Sequence, residues 1–456
     1  MHKLSFRSAL TPQGWADNVL VTIDAEGRIS AVEPGAEAAG IARIAGAALP
    51  GLPNLHSHAF QRGMAGMAEV AGQSDDSFWT WRDWMYRFAL ALDPDDVEAI
   101  AALAYVEMLE AGFTTVGEFH YLHHDRDGRH YADIAELGRR CVAAASETGL
   151  AITLLPVFYA HSGFGGQAPS EGQRRFINDI DSFGRLAGGC AAATQVYPRG
   201  RFGIAPHSLR AATLDELKVL VQAFPDVPTH IHVAEQVKEI EDCLAVHGRR
   251  TIELLTDTVE LAPNWCLIHA THVTPAEVTA MARSGAVVGL CPVTEANLGD
   301  GIFPGADYLG QGGRFGVGTD SNVAISVSGE LATLEYSQRL GFRRRNALAP
   351  RGASTGRTLF EASLAGGGQA LGLGVQGIQV GAVADIVVLD TNHIAFAGRQ
   401  GDAMLDSWVF GPSAGSIRDV YVSGRRVVDG GRHVARSAIE ARARKVLERV
   451  ISSASN

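Results

Sequence analysis

Short apolar runs alternate with amphipathic stretches through the central part of this chain, and that alternation most constrains its fold. Eight runs are typical of β-strands, and they end near Leu55, Glu118, Phe158, Ala205, His232, His269, Leu290 and Thr319. Helical patterns lie between them; we predict one helix over 94–111, capped by Asp93, and another that begins after Thr274 in a capping box. Eight strands alternating with helices predict an α/β fold, a parallel (β/α)8 TIM barrel.

The two ends of the chain have a different pattern. Residues 19–24 and 27–32 are typical of a β-hairpin, and strand-like runs return at 384–389 and 419–428. We expect these ends to pair into one small β-sandwich domain. The predicted organisation is a composite β-sandwich from residues 1–48 and 376–435, a barrel from 49–375, and a C-terminal helix over 436–456 packed on the outside.

The composition of the chain limits the kinds of molecule that the protein is expected to bind. The net charge of −11 argues against nucleic acid or an anionic membrane surface, and no apolar run is long enough to span a bilayer. The start of the chain lacks the apolar core of a signal peptide. Five scattered cysteines without a C-x-x-C pair are typical of reduced thiols. We therefore expect a cytoplasmic protein that acts on a small molecule, with neither nucleic acid nor membrane as a partner.

Several predicted strands end in side chains that bind metals. His56 and His58 stand two residues apart, and alternate residues of a strand face the same side, so both imidazoles can face one ion. His232, His269 and Asp320 lie at three further strand ends, and such ends meet on one face of a barrel. Imidazoles and a carboxylate around a divalent ion, with a position left for water, indicate a hydrolytic zinc site, although iron or manganese suits similar ligands.

These motifs carry a family resemblance over nearly the whole chain. His-x-His at 56–58, HVAE at 232–235, the strand-six histidine and TDS at 319–321 resemble the deaminase branch of the amidohydrolase superfamily. Within that branch, GLPNLHSHAFQR at 51–62 and EFHYLHH at 118–124 resemble the formimidoylglutamate deiminases of histidine breakdown. The resemblance implies hydrolysis of N-formimidoyl-L-glutamate to N-formyl-L-glutamate and ammonia. It also implies a divalent ion, expected to be Zn²⁺, and a homodimer.

The resemblance also implies a role for each matching position. The metal ligands are His56, His58, His232 and Asp320. The catalytic residues are Glu235, which protonates the imino nitrogen, and His269 with Asp320, which act on the water. The substrate contacts are Gln61, Arg82, Tyr121, His207 and Arg210.

The residues themselves support a single ion and an acidic substrate. Many amidohydrolases bridge two metals with a carboxylated lysine, but this chain has only Lys3, Lys218, Lys238 and Lys445, none of them at a strand end that faces the pocket. We therefore predict one metal. Arg82 lies in the long loop after strand one and Arg210 follows strand four, and guanidinium groups pair with carboxylates through two parallel hydrogen bonds. Two arginines suit a dianionic amidine.

Two other functions stay open from the sequence. An aminopurine or triazine-type deaminase would keep the same metal chemistry, but it needs an aromatic or amide clamp for a flat ring in place of two arginines. A non-catalytic barrel protein is the second alternative, and it would have no need of the metal ligands or of Glu235.

Overall fold

A computed structural model describes residues 1–36, 40–71 and 78–454. Its strands are β1 His2–Thr11, β2 Gly14–Ile23, β3 Ile29–Glu33, β4 Arg43–Pro50, β5 Leu52–Ser57, β6 Phe113–His120, β7 Ala151–Phe158, β8 Gly200–Phe202, β9 Ala205–Pro206, β10 Thr229–Val233, β11 Trp265–His269, β12 Val287–Leu290, β13 Arg314–Val317, β14 Ile386–Leu389, β15 Ile417–Val422, β16 Arg425–Asp429 and β17 Arg432–His433. Its α-helices are α1 Phe78–Ala91, α2 Pro94–Glu110, α3 Glu136–Thr148, α4 Ile180–Gln195, α5 Leu214–Ala223, α6 Val237–His247, α7 Thr251–Thr258, α8 Pro275–Ser284, α9 Pro292–Leu298, α10 Gly305–Gly310, α11 Val327–Phe342, α12 Thr355–Ala370, α13 Asp402–Phe410 and α14 Arg436–Ala454.

The central strands close into a parallel barrel. One set runs β5-β6-β7-β8, with β9 also paired to β7, and the other runs β10-β11-β12-β13. A parallel bridge between Ile204 and Thr229 joins β9 to β10, and a second between Ser57 and Asp320 joins the chain after β13 to β5. The predicted (β/α)8 barrel is confirmed. Its fourth strand, expected to end near Ala205, consists of the two short segments β8 and β9.

One glycine permits the closure that forms the site. A Cβ at Gly318 would lie 2.7–2.8 Å from backbone and Cβ atoms of His56, closer than real contacts allow. With glycine there, the chain after β13 lies directly against β5, and the Asp320 amide donates to the His56 carbonyl at 2.9 Å. The backbone beyond this contact turns into the left-handed region at Asp320 and Asn322. Such strained positions concentrate at functional sites.

Strands from both ends of the chain form one eight-stranded sheet, in the order β17-β16-β15-β14-β4-β1-β2-β3. The predicted hairpin is β2 with β3, and β14 pairs antiparallel with β4, so the two ends meet as expected. Its inner face has a separate apolar core that includes Phe6, Val21 and Ile386. The exact domain bounds given above stay a prediction.

Helix ends follow the predicted capping chemistry. Asp93 caps α2 in a capping box with Asp96, and Thr274 caps α8 in a capping box with Glu277. The C-terminal helix α14 packs against α2 and α1 on the outside of the barrel. Among the described residues, no helix is both long enough and apolar enough to cross a membrane.

Candidate active site

The four predicted metal ligands lie together at the carboxyl ends of the barrel strands. His56, His58, His232 and Asp320 are all buried, and one ligand atom from each lies within 4.8 Å of the other three. The Nε2 atoms of His56 and His232 are 3.1 Å apart, and Asp320 Oδ1 lies 3.4 Å from His56 Nε2 and 3.2 Å from His58 Nε2. Three imidazole nitrogens and a carboxylate oxygen that converge in this way fit one divalent cation of the zinc class.

Backbone carbonyls fix the orientation of two of these rings. His58 Nδ1 donates to the Phe119 carbonyl at 2.9 Å, and His232 Nδ1 donates to the His207 carbonyl at 3.2 Å. In a neutral imidazole the proton on Nδ1 leaves Nε2 with a free lone pair. Both rings are therefore held in the tautomer that presents Nε2 to a cation, as is usual for metal-bound histidine.

Burial sets the ionisation of the same groups. It lowers the pKa of His56 to about 3, with a further lowering by neighbouring histidines, although Asp320 opposes the shift. It also lowers the pKa of His232 well below its usual value. Burial would raise the pKa of Asp320, but the neighbouring His56 and His58 hold it well below its usual range. Neutral imidazoles beside an ionised carboxylate are the forms that bind a metal ion.

Glu235 and His269 lie beside this cluster. His269 Nε2 is 3.7 Å from Glu235 Oε1 and 3.9 Å from Asp320 Oδ2. Burial lowers the pKa of His269, but the charges of Glu235, Glu295 and Asp320 outweigh it and raise the pKa to about 10. Burial likewise raises the pKa of Glu235, while His269 and Arg210 oppose that shift. The Glu235 carboxyl thus has the environment of a group that can take up and return a proton.

A single pocket brings the predicted substrate contacts together above these groups. It is lined by the five predicted residues, Gln61, Arg82, Tyr121, His207 and Arg210, and also by His58, His232, Glu235, His269 and Asp320. Its other lining residues are mainly apolar or aromatic: Phe78, Trp81, Met85, Tyr86, Tyr159, Phe176 and Leu298. The structure therefore assembles all the predicted site residues except His56 in one pocket wall, and His56 lies directly behind it in the metal cluster.

Arg82 has a different local setting from the one predicted. The sequence indicated a loop, whereas the structure places Arg82 on helix α1, which lies within the connection between β5 and β6. Its guanidinium lies 4.6 Å from the centre of the Trp79 ring and 5.5 Å from that of Tyr86. These cation–π contacts hold the group at the pocket without neutralising its charge.

Arg210 follows β9 and lies near two acidic residues. Its guanidinium is 3.9 Å from both Glu235 and Glu239, which is too far for a hydrogen bond. Within the described part of the chain, the buried Nε atoms of Arg82 and Arg210 have no hydrogen-bond partner. A buried donor without an acceptor is costly, so an acidic ligand would stabilise both groups.

Gln61 and Tyr121 form a polar pair on another side of the pocket. Gln61 Nε2 donates to the Tyr121 hydroxyl at 2.6 Å. Gln61 Oε1 is buried, and no residue in the described ranges donates to it. This amide oxygen is therefore available to accept from an N–H group of a ligand.

The sequence reasoning missed residues that touch the predicted catalytic groups. Glu295 Oε1 lies 3.2 Å from His269 Nδ1, and Glu239 accepts the backbone N–H of Ala234 at 2.9 Å, next to Glu235. Tyr159 lines the pocket and contacts the His207 ring. The position of Glu295 just after the seventh predicted strand was the available signal, because every strand end on that face can contribute a side chain.

Comparison with known proteins agrees with this geometry. The profile of the amidohydrolase family matches residues 47–427, and that of the formimidoylglutamate deiminase HutF N-terminal domain matches residues 2–43. The chain is 54% identical over 427 residues to a formimidoylglutamate deiminase of Pseudomonas aeruginosa, which covers 93% of this chain and 94% of that protein. It is 27% identical over 378 residues, 78% of each chain, to a 5-methylthioadenosine/S-adenosylhomocysteine deaminase of Natronomonas pharaonis.

A solved structure extends the likeness to the whole fold. The crystal structure of an amidohydrolase from Brucella melitensis has a TM-score of 0.95 and 52% sequence identity, with 99% of this chain and 100% of that chain covered. Both the barrel and the sheet built from the two ends therefore have a counterpart in a solved protein.

Proposed function

The chain belongs to the amidohydrolase family, and on that basis we propose that it hydrolyses N-formimidoyl-L-glutamate to N-formyl-L-glutamate and ammonia in histidine degradation. The observation that carries the proposal is one pocket in which two arginines face a cluster of three histidines and an aspartate. The arginines fit the two carboxylates of the substrate, and the cluster lies where the formimidoyl carbon must react.

We propose that His56, His58, His232 and Asp320 hold a single Zn²⁺ ion. Their nitrogen and oxygen donors fit it, and the carboxylated lysine that a second bridged ion would need has no candidate among the four lysines of the chain. When bound, such an ion lowers the pKa of a coordinated water to about 7 and so supplies a nucleophile near neutral pH.

Glu235 carries the proton in this proposal. Water adds to the formimidoyl carbon, and the Glu235 carboxylate takes the proton that the water loses. The protonated carboxyl donates this proton to the imino nitrogen, which becomes an amino group. Glu235 then takes the proton of the added hydroxyl and passes it to the same nitrogen, so the C–N bond breaks as ammonia leaves and the formyl C=O forms. His269, 3.7 Å from Glu235, holds the carboxylate and the water in place. One positioned acid–base group typically contributes about 10²–10⁴-fold to the rate.

The remaining residues bind and orient the substrate. Arg82 and Arg210 each take one carboxylate, and Gln61 Oε1, to which no described residue donates, accepts an amidine N–H. Tyr121 holds Gln61 through its hydroxyl, and His207 packs against Tyr159 at the edge of the pocket. The aromatic lining excludes water from the reacting carbon.

We further propose that the protein works as a homodimer in the cytoplasm. All five cysteines are unpaired and buried, which supports a reducing compartment. The homodimer follows from the family alone, and sedimentation velocity would test it.

A substrate screen tests the proposed function. Ammonia release is measured with formimidoyl-glutamate, formimidoyl-aspartate and guanine at equal concentrations. We expect the highest kcat/KM with formimidoyl-glutamate and none with guanine. Turnover of guanine in preference to both amidines would instead support the ring deaminase alternative.

A further inference from the structure

A buried carboxylate that the mechanism above does not use contacts the catalytic histidine. Glu295 lies in the first turn of α9, and only 7% of its surface is exposed. Its Oε1 atom is 3.2 Å from His269 Nδ1. The opposite nitrogen of the same ring, Nε2, is the one that lies near Glu235 and Asp320. The imidazole therefore stands between Glu295 and the reacting groups.

The backbone of His269 does not fix the ring by itself. His269 and Ala270 both have left-handed φ angles, of 69° and 48°, so β11 ends in a sharp turn at the histidine. The ring stacks on His232 at a centroid distance of 5.6 Å, and this contact restrains its plane. Stacking does not decide whether Nε2 or Cε1 points to the reacting groups, because a ring flipped by 180° keeps the same plane.

The hydrogen bond to Glu295 determines the orientation of the His269 ring. A carboxylate can only accept, so the nitrogen that faces Glu295 must be a protonated Nδ1. Glu295 is itself held in place, because the same Oε1 accepts the Cys291 backbone N–H at 2.8 Å. The acceptor is thus anchored to the end of the seventh barrel strand, and the ring is anchored to the acceptor.

We propose that Glu295 is a positioning residue for the deimination: it holds the His269 ring with Nε2 directed at Glu235 and Asp320. The proposal rests on the proposed function for the choice of substrate and for the catalytic role of His269. The arrangement resembles other catalytic sites in which a carboxylate orients an imidazole through Nδ1. A ring misplaced by about 1 Å can cost about 10²-fold in rate.

A purely structural role must be separated from this one, because a glutamate in the first turn of a helix commonly accepts a cap N–H. Glu330 supplies a matched control. It is also fully buried, and it accepts the Val293 backbone N–H at 2.9 Å, two residues along the same helix start. Glu330 has no hydrogen bond or ion pair with His269 among the contacts of the described residues.

The first experiment measures kcat and KM for ammonia release by the Glu295→Ala, Glu295→Gln and Glu330→Ala proteins, with bound zinc per chain determined for each. We expect Glu295→Ala to lower kcat about 10²-fold, with KM and zinc content unchanged. Glu295→Gln should recover much of that loss, because the amide oxygen still accepts from Nδ1–H. Glu330→Ala should stay within about threefold of the parent. An equal loss of kcat in Glu295→Ala and Glu330→Ala would overturn the proposal, as would no loss in Glu295→Ala.

The second experiment asks whether Glu295 acts through the histidine. In a His269→Ala background, Glu295→Ala should cause no further fall in kcat, because the ring that it positions is absent. A further fall as large as in the parent would contradict the proposal. Crystal structures give a readout apart from activity: we expect a rotated or split His269 ring in Glu295→Ala and the parent orientation in Glu295→Gln. An unmoved ring in Glu295→Ala would also overturn it.

Comparing the kcat of each variant with that of the parent keeps the proposed substrate and the role of Glu295 separately testable. If the parent protein deiminates a different amidine and leaves formimidoyl-glutamate untouched, the proposed substrate is wrong. The same variants are then assayed with the substrate that is turned over. The role of Glu295 is tested by the kcat of each variant relative to that of the parent protein.

Discussion

At the scale of single residues, the pocket joins two walls: one has neutral imidazoles and a carboxylate that suit a metal ion, and the other carries two arginines. Hydrogen bonds from Nδ1 to carbonyls leave Nε2 of His58 and His232 free, while the Nε donors of Arg82 and Arg210 find no acceptor among the described residues. The first wall favours a cation, and the second favours carboxylates. Together they fit the proposed substrate, which has acidic ends and one reactive C=N group.

Truncating Arg82 tests the cationic wall. A charge-assisted hydrogen bond contributes about 1.5–3 kcal/mol, so we expect Arg82→Ala to lower kcat/KM for formimidoyl-glutamate about 10- to 100-fold. Arg87→Ala is the matched control, because this exposed arginine lies on the same helix and does not line the pocket. Steady-state ammonia release measures both. If Arg82→Ala stays within a few-fold of the parent, carboxylate recognition by this arginine is wrong.

The cluster of His56, His58, His232 and Asp320 could be predicted from spacing, whereas the contacts that support it could not. His56 and His58 follow from the two-residue period of a strand, and Asp320 follows from its place at the eighth strand end. The bond between Glu295 and His269 joins residues 26 positions apart through a turn whose direction no local pattern gives. The contacts of Arg210 with two glutamates depend in the same way on how neighbouring loops pack.

At the scale of elements, capping chemistry fixes where the barrel helices begin. Thr274 caps α8 and accepts the Glu277 N–H, while Glu277 accepts the Thr274 N–H at 2.7 Å. Because the loss of such a cap costs about 1 kcal/mol, we expect Thr274→Ala to lower the free energy of unfolding by about that amount. Thr274→Ser keeps the hydroxyl and should stay near the parent. Urea denaturation measures both variants, and equal stabilities of all three proteins would contradict the role of the cap.

A histidine links the C-terminal strands to the barrel helices. His433 Nε2 donates to the Thr148 carbonyl at 2.9 Å, and its Nδ1 accepts the Ala435 N–H at 3.1 Å, so the neutral ring is required. Burial lowers the pKa of His433. Below about pH 6.5 the unfolded chain therefore binds a proton that the folded protein resists, and the stability that comes from this group is lost as the pH falls.

This pH effect has a direct test. We expect the unfolding free energy of the parent to fall between pH 7.5 and 5.5 more steeply than that of His433→Asn. Asparagine can still accept the Ala435 N–H, but it does not titrate. Urea denaturation at several pH values gives both slopes. Parallel slopes would show that His433 is not the titrating group.

The sequence predicts where helices and strands lie better than it predicts whether each of them is continuous. The periodicity of residues 94–111 and the Thr274–Glu277 spacing located α2 and α8, because both signals are local. The fourth strand divides into β8 and β9 at Gly203 and Ile204. This division depends on pairing with the neighbouring strands β7 and β10, since Ile204 bridges to Thr229 of β10. Likewise, the sequence predicts a loop at Arg82, whereas the structure forms helix α1 there.

At the scale of the whole molecule, closure of the barrel builds the site. The approach of the chain at Gly318 to His56 brings the first and last strands together, so ligands from residues 56 and 320 become neighbours. The alternation of strands and helices predicted this ring, and the strand-like ends predicted the composite sheet. The number of bound ions and their identity depend on donor geometry and remain proposals.

Zinc titration of the ion-free protein tests the central claim, that one cation held by His56, His58, His232 and Asp320 drives deimination. A chelator removes bound metal, zinc is then added back in steps, and ammonia release from formimidoyl-glutamate is followed. We expect no turnover without metal, a linear recovery that stops at one zinc per chain, and no recovery in Asp320→Ala. Full turnover by the ion-free protein, or recovery that stops only at two zinc ions per chain, would contradict the account.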